Sequence, residues 1–436
     1  MLLYLLRPIA RLALRVFFRK IDVRGYDRVP AGRPLVLVAN HPNVMLDALL
    51  LGVYAPGARF LGKSTLFRYP LHAWFLRRLG VIPVARAQDE GSEMSRNRDM
   101  LRHACQALRE GHSLVVFPEG ASHLEMRVRD LKPGTARIAL RAEAEADGQA
   151  GVCVVPVGLT YSDPGLFRGD VSIHFGEAIE VRPFLEAEGR RAAEQALTAS
   201  IHEHLSALTR HTEDTDLEAV IRDLSSLYAG NVAAGLPDSA ELSRRLRAEQ
   251  EIIWAVHHFA GTDPELVRSF ARRLHAHRRK LRRLRLAPDS LSAGLSHRSP
   301  GRLLLALLLS PPALYGFIHN ALPYYLPRLF AHRETPEMIG TVKMVAGIVL
   351  FPLSYLLLTG AACLLADLRS ALLYGLTLPA SGLFTLFYDE HILRRWPLWQ
   401  GLVSPRGLRR LSEERAAILR DLDAIKARYL ALLDGS

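Results

Sequence analysis

The sequence predicts an α/β layer fold over residues 21–182, followed by a helical region and then by a membrane helical hairpin. Three observations point there. Short apolar β-like runs alternate with helical runs up to about Arg182. From 183 to about 290, Leu, Ala, Arg and Glu dominate with helical spacing. Beyond that come long stretches with no charged residue at all.

The elements follow in order. Residues 1–20, MLLYLLRPIARLALRVFFRK, read as an amphipathic helix with Arg7, Arg11 and Arg15 on one face. A secretory signal would keep its apolar centre free of charge and end at small residues. A basic stripe beside a bulky apolar face suits the surface of an anionic membrane; the alternative is a helix that covers a core. In 21–182 the β-like runs are LVLVAN (35–40), RFLG (59–62), VIPVAR (81–86), SLVVFPEG (113–120), VCVVPVGLTY (152–161) and VSIHFG (171–176). The helix MSRNRDMLRHACQALREG between two of them stops at Gly111, a residue suited to a helix end. Apolar strands separated by helices form a largely buried sheet with helices packed on it.

The helical region, 183–300, closes on the basic run RRLHAHRRKLRRLRL (272–286), read as a surface facing anionic lipid. In the membrane-embedded region, 301–395, Val345–Ala366 is uncharged over 22 residues and Ala371–Tyr388 over 18. These lengths approach or meet that of a spanning helix, and the turn DLRS joins them as a hairpin. Leu303–Pro327 is also uncharged, but Pro311, Pro312, Pro323 and Pro327 predict a kinked, re-entrant or interfacial element. A hairpin keeps Lys343 and Arg394 on one, cytoplasmic, face, as the positive-inside rule prefers. Residues 396–436 carry Leu408, Leu411, Ile418, Leu422, Ile425 and Tyr429 at helical spacing, an amphipathic tail helix.

Totals narrow the function. The 436 residues carry a formal charge of +12, which favours nucleic acid, anionic lipid or phosphorylated substrates as partners. Nucleic acid is disfavoured, because no aromatic residues interleave with the arginine run and the apolar hairpin would go unexplained. Cys105, Cys153 and Cys363 stand too far apart for a disulfide framework or a zinc pattern, and no metal site is expected. GARFLGKS (57–64) fits the phosphate-loop spacing, but Phe60 and Leu61 place a strand inside it and Pro70 follows soon after.

The chemistry gathers at ANHPNVMLDALLL (39–51). A strand ends just before His41, Pro42 holds His41 extended, and Asp47 lies in the first turns of the helix that follows. A carboxylate on one imidazole nitrogen fixes the tautomer while the other nitrogen takes a proton. The alternative is a buried histidine beside a helix-start aspartate. Further groups stand near strand ends: Arg86, whose fork suits a phosphate; Glu119 and Gly120 in FPEGASH; and Lys132.

NHPNVMLD, GVIPVAR, FPEGASH and VVPVGL, in this order, resemble the four blocks of the glycerolipid acyltransferase family, which includes glycerol-3-phosphate and 1-acylglycerol-3-phosphate acyltransferases. The resemblance covers about residues 21–182. It implies His41 as general base and Asp47 as its orienting partner, with Arg86, Glu119 and Gly120 holding the acceptor phosphate and shaping the site. Asn40, Asn43 and Ser122 within these blocks, together with Lys132, complete the expected substrate-binding set. The family mostly places four residues between His and Asp. Here there are five, Pro42 to Leu46, similar to a fungal-type branch acting on glycerol-3-phosphate and dihydroxyacetone phosphate.

The expected function is therefore acyl transfer from acyl-CoA or acyl-carrier protein to a phosphorylated glycerol, glycerol-3-phosphate before 1-acylglycerol-3-phosphate, without a further cofactor. The expected place is the inner (cytoplasmic) membrane, with the catalytic domain on the cytoplasmic side. A catalytically silent lipid-binding scaffold is the rival of another class.

Overall fold

A computed structural model describes residues 2–55, 57–78, 80–84, 94–125, 127–209, 241–283, 300–393 and 405–434, with Leu217, Val220, Ile221 and Leu224. The chain forms two compact units, 1–211 with 329–346, and 212–328 with 347–436. The first does not close at residue 182, where the strand pattern ends. It takes in a further helix and a returning segment more than a hundred residues downstream.

The first unit is built on an eight-stranded sheet: β1 Lys20–Arg24, β2 Leu35–Ala39, β3 Arg59–Lys63, β4 Val81–Val84, β5 Leu114–Val116, β6 Cys153–Tyr161, β7 Asp170–Phe175 and β8 Ile179–Glu180. The order is β1-β7-β6-β2-β5-β3-β4, with β8 also on β6. Pairing is parallel except where β6 meets β7 and β8. Each apolar run of the sequence holds a strand. β1 and β8 were not expected, because KIDVR is half polar at the sheet edge and β8 is two residues long.

β2 shows why this sheet is central. LVLVA is buried throughout, and its residues alternate between two cores, as successive strand side chains must. Val36 and Val38 face one core, with α4 (Met94–Arg109), α5 (Gly134–Ala144) and α6 (Arg190–Leu208). Leu35, Leu37 and Ala39 face the other, with α1 (Leu2–Phe17) and α2 (Val44–Tyr54). A one-residue slip would exchange the two sets, so the register is strongly fixed. α3 is Pro70–Arg78. GARFLGKS contributes β3, not a loop that cradles phosphate.

Pro156 sits inside internal strand β6, where a missing N–H is normally not tolerated. It falls at a change of neighbour: β8 pairs with Cys153–Val154 and β7 with Val157–Tyr161. Its carbonyl accepts from the Gly176 amide at 2.8 Å.

The N-terminal helix is divided in use. Leu14 and Phe17, with the following Phe18, are buried in the second core. Arg7 donates to the Val53 carbonyl at the end of α2, at 2.7 and 3.2 Å. Ile9 and Leu12 remain exposed. The basic stripe is therefore partly spent on packing the helix down.

The second unit is helical. α7 (Glu241–Thr262), α8 (Pro264–Arg283) and α12 (Pro405–Asp434) bury Ile252, Val256, Phe259, Phe270 and Leu422 around a mainly apolar cavity. Arg273–Asp421 (2.7 Å) and Lys280–Glu414 (2.6 Å) tie the basic α8 to α12. Residues 284–286 of the basic run lie outside the described residues.

Among the described residues, three helices are long and apolar enough to cross a membrane: α9 (Pro300–Ala331), α10 (Ile339–Leu365) and α11 (Leu368–Tyr388). The sequence pattern gave a hairpin preceded by a broken element. α9 runs as one helix through all four prolines. A proline at i frees the carbonyl of i−4. The Ser310 hydroxyl donates to the Leu307 carbonyl at 2.8 Å, which Pro311 leaves open. Within the apolar helices the Asn320 amide bridges Gly316 (2.8 Å) and accepts from Tyr355 (2.6 Å), so this polar side chain is satisfied. Leu304, Leu308, Leu322, Leu356, Leu364 and Leu376 are exposed, an arrangement for lipid rather than water.

Candidate active site

The site forms where β2 and β5 end. Asn40 leaves β2 and extends the sheet with its side chain: Nδ2 donates to the Leu159 carbonyl (2.9 Å) and Oδ1 accepts from the Leu159 amide (2.7 Å). This locks the exit of β2 against β6 and aims the next residue, His41. α2 begins at Val44 with Asn43 as its N-cap.

Asp47 is fully buried in the first turn of α2, where the helix dipole favours a carboxylate. Its Oδ2 lies 2.9 Å from His41 Nδ1 and accepts the Asn43 amide at 2.7 Å. Its Oδ1 accepts from the Tyr161 hydroxyl. Both oxygens are thus engaged by donors in a buried setting. Burial, then the Asp47 charge, pushes the Tyr161 phenol well above its ordinary value, so it stays a donor. The five-residue spacing does not separate the pair: the longer loop brings His41 back over the first turn of the helix.

The His41 ring stacks on Phe117, with centroids 3.9 Å apart and planes at 12°. The His41 side chain is 14% exposed. With Nδ1 turned to Asp47, Nε2 is the nitrogen left for a substrate proton.

Phe117 opens the loop after β5. Glu119 and His123 are buried there and pair with each other, and Glu119 also accepts the Arg129 amide at 3.2 Å. The His123 amide donates to the His41 carbonyl at 3.2 Å. Gly120 has φ +75°, which favours glycine, and an added Cβ would lie 2.6 Å from Lys132 Nζ. Lys132 therefore crosses over Gly120, while its own amide donates to the Pro118 carbonyl at 3.0 Å. Ser122 is half-buried in the same loop. Arg86 lies outside the described residues.

The structure thus brings His41, Asp47, Asn40 and Asn43 together around one strand exit, and Glu119, Gly120, Ser122 and Lys132 around the next. Asn40 and Asn43 spend their side chains on the protein: Asn43 is fully buried, and its Nδ2 donates to the Pro164 carbonyl at 2.7 Å. Sequence reasoning missed Tyr161, Phe117 and His123. The signal for Tyr161 was a polar group ending an apolar strand. Phe117 and His123 bracket the FPEGASH block itself.

Residues 20–160, which hold all eight of the expected site positions that the structure describes and the strands β1 to β5, match the family model described as Acyltransferase. By that match, this segment is similar to acyltransferase-family domains. Its relatives include a chloroplastic 1-acyl-sn-glycerol-3-phosphate acyltransferase of Arabidopsis thaliana, 30% identical over 143 residues, covering 33% of this chain and 36% of that one. Another is glycerol-3-phosphate O-acyltransferase 1 of Saccharomyces cerevisiae, 30% identical over 146 residues, covering 32% and 19%. The chain therefore spans only about a third and a fifth of these two relatives. Among solved structures, a 1-acyl-sn-glycerophosphate acyltransferase from Thermotoga maritima is similar at a TM-score of 0.35 and 20% identity, over 47% of this chain and 79% of that one.

Proposed function

We propose that this protein is a membrane-bound O-acyltransferase that moves a fatty acyl group from a thioester donor, acyl-CoA or acyl-carrier protein, to a hydroxyl of a phosphorylated glycerol. Glycerol-3-phosphate is the favoured acceptor, given the longer His-to-Asp spacing, and 1-acylglycerol-3-phosphate is the second. One observation carries the reading: a buried, fully hydrogen-bonded Asp47 holds His41 Nδ1 at 2.9 Å, within an acyltransferase-family domain.

In this mechanism His41 Nε2 takes the proton of the acceptor hydroxyl, and Asp47, hydrogen-bonded to Nδ1, orients and supports the imidazolium. The alkoxide oxygen bonds to the thioester carbonyl carbon. The tetrahedral intermediate collapses, the carbon–sulfur bond breaks, and the imidazolium returns its proton to the departing thiolate. General-base catalysis of this kind contributes on the order of a hundredfold to ten-thousandfold. Lys132, beside Gly120, supplies a cation for the acceptor phosphate.

Chain parity supports a membrane hairpin of α10 and α11 rather than three crossings. Residues up to 211 and residues 329–346 belong to one compact unit, so they share one aqueous side. Among the described residues between them, α9 is the one helix able to cross. A single crossing would separate the two parts, so this reading keeps α9 in the membrane without a full crossing. Lys343, Arg394, Arg395 and Arg406 then flank the hairpin on the cytoplasmic side.

Purified protein in detergent, given labelled acyl-CoA and a panel of acceptors, should form an acylated glycerol phosphate identified by mass. His41→Ala should remove the product while the protein still folds. Full turnover in that variant would sink the assignment. Absence of product from the wild type with every acceptor and both donors favours a lipid-binding scaffold.

A further inference from the structure

The N-terminus of α2 carries Asp47, yet its own capping residue does not cap it. Asn43 occupies the N-cap position and makes no side-chain hydrogen bond to the helix. The first turn of any helix has amides without intrahelical partners, and a hydroxyl or carboxylate nearby ordinarily accepts them. Here the acceptor comes from far along the chain. The Met45 amide donates to Thr341 Oγ1 at 3.2 Å, across 296 residues of sequence. The Thr341 hydroxyl in turn donates to Asn43 Oδ1 at 3.4 Å.

The segment around Thr341 is fitted to the place. Gly340 lies so close to the Pro164 carbonyl that a Cβ would collide with it, and the same Cβ would stand 2.8 Å from Asn43 Nδ2. The Lys343 ammonium donates to the Gly165 carbonyl at 2.7 Å, and Met344 is buried in the second core. Residues 340–344 are the opening turns of α10, the helix that continues as the uncharged run from Val345.

We infer that Thr341 is a positioning residue for the His41–Asp47 pair: it caps α2 from outside, and with Asn43 it fixes the loop whose amide holds Asp47. The same contact makes the first turn of the apolar hairpin a working part of the site. The extra residue between His41 and Asp47 lengthens the loop that receives this cap. The catalytic consequence rests on the acyl-transfer reading; the cap itself does not.

The test compares Thr341→Val, which keeps the shape and removes the hydroxyl, with Thr341→Ser, which keeps the hydroxyl. Hydrogen exchange on the full chain in detergent reads the cap directly. Thr341→Val should increase exchange in the peptide containing Met45 at least tenfold, while Thr341→Ser should not. In the acylation assay, kcat of Thr341→Val should fall about tenfold with KM for both substrates unchanged, and Thr341→Ser should recover it. Unchanged exchange in Thr341→Val overturns the cap. Increased exchange with kcat unchanged, or with kcat and KM moving alike, overturns the positioning role. If the wild type transfers no acyl group, the proposed function fails, and the exchange result still decides the cap.

Discussion

Replacing Tyr161 by Phe deletes one oxygen atom from the buried end of β6. Asp47 then keeps His41 and the Asn43 amide as partners, and its Oδ1 loses the phenolic donor. A hydrogen bond to a buried charged group contributes roughly 1.5–3 kcal/mol, so the variant should be less stable by about 2 kcal/mol near neutral pH. The phenol's pKa is raised in the folded state, by burial first and by the Asp47 charge next. A group raised on folding gives its full contribution below its unfolded pKa and loses it as pH climbs towards the folded value. Above about pH 10 the unfolded chain ionises at this residue and the folded one does not. The stability gap between wild type and Tyr161→Phe should then shrink by about 1.4 kcal/mol per pH unit. Denaturant midpoints of both proteins, measured from about pH 8 to pH 11 in one detergent, read this directly. A gap that stays constant across that range, or that is absent at pH 8, refutes the reasoning. In the acylation assay the variant should lose about tenfold in kcat, and in an Asp47→Asn background the same change should cost nothing further.

Three other outcomes follow from the geometry. Gly120→Ala should lower Tm and acyl transfer together, because φ of +75° and the overlying Lys132 both oppose a Cβ, at a cost of about 1–2 kcal/mol; an unchanged melt contradicts this. Asn40→Leu should release the exit of β2 from Leu159 and destabilise the protein by about 2 kcal/mol, seen as a lower denaturant midpoint at an unchanged slope. Glu194, held by Arg137 and then Arg190, has its carboxyl depressed below the ordinary range. Its contribution is therefore present above the unfolded pKa and lost as pH falls through the folded one. Glu194→Gln should lose about 1 kcal/mol at pH 7 and nothing at about pH 2, by thermal melts at both.

The sheet was legible because its strands are buried on both faces, so Leu35–Ala39 and Cys153–Tyr161 read as unbroken apolar runs. β1 escaped because an edge strand with Lys20, Asp22 and Arg24 lacks that signature. His41 and Asp47 were visible as the polar residues of an apolar segment, and their meeting is local, across six positions. Tyr161 reaches Asp47 from 114 residues away, and Thr341 reaches Met45 in the same helical turn from 296. No spacing rule reaches that far; such partners emerge only when the strands and the returning helix are placed. The prolines of α9 read as breaks in the sequence, yet the helix runs through them. Pro311 does remove a backbone bond, but Ser310 supplies a replacement whose effect depends on the folded helix.

The distance between Met45 and Thr341 also sets an order of events during synthesis. A ribosome finishes the strands and the His41–Asp47 loop long before it reaches Gly340. Until those last residues emerge, the first turn of α2 has an open amide where the finished protein has a hydroxyl. Closing so long a loop is entropically late, since contacts of high sequence separation form after local ones. A nascent chain would therefore acquire the finished geometry of the His41–Asp47 turn only as α10 begins to leave the ribosome, which makes that turn a late product of synthesis.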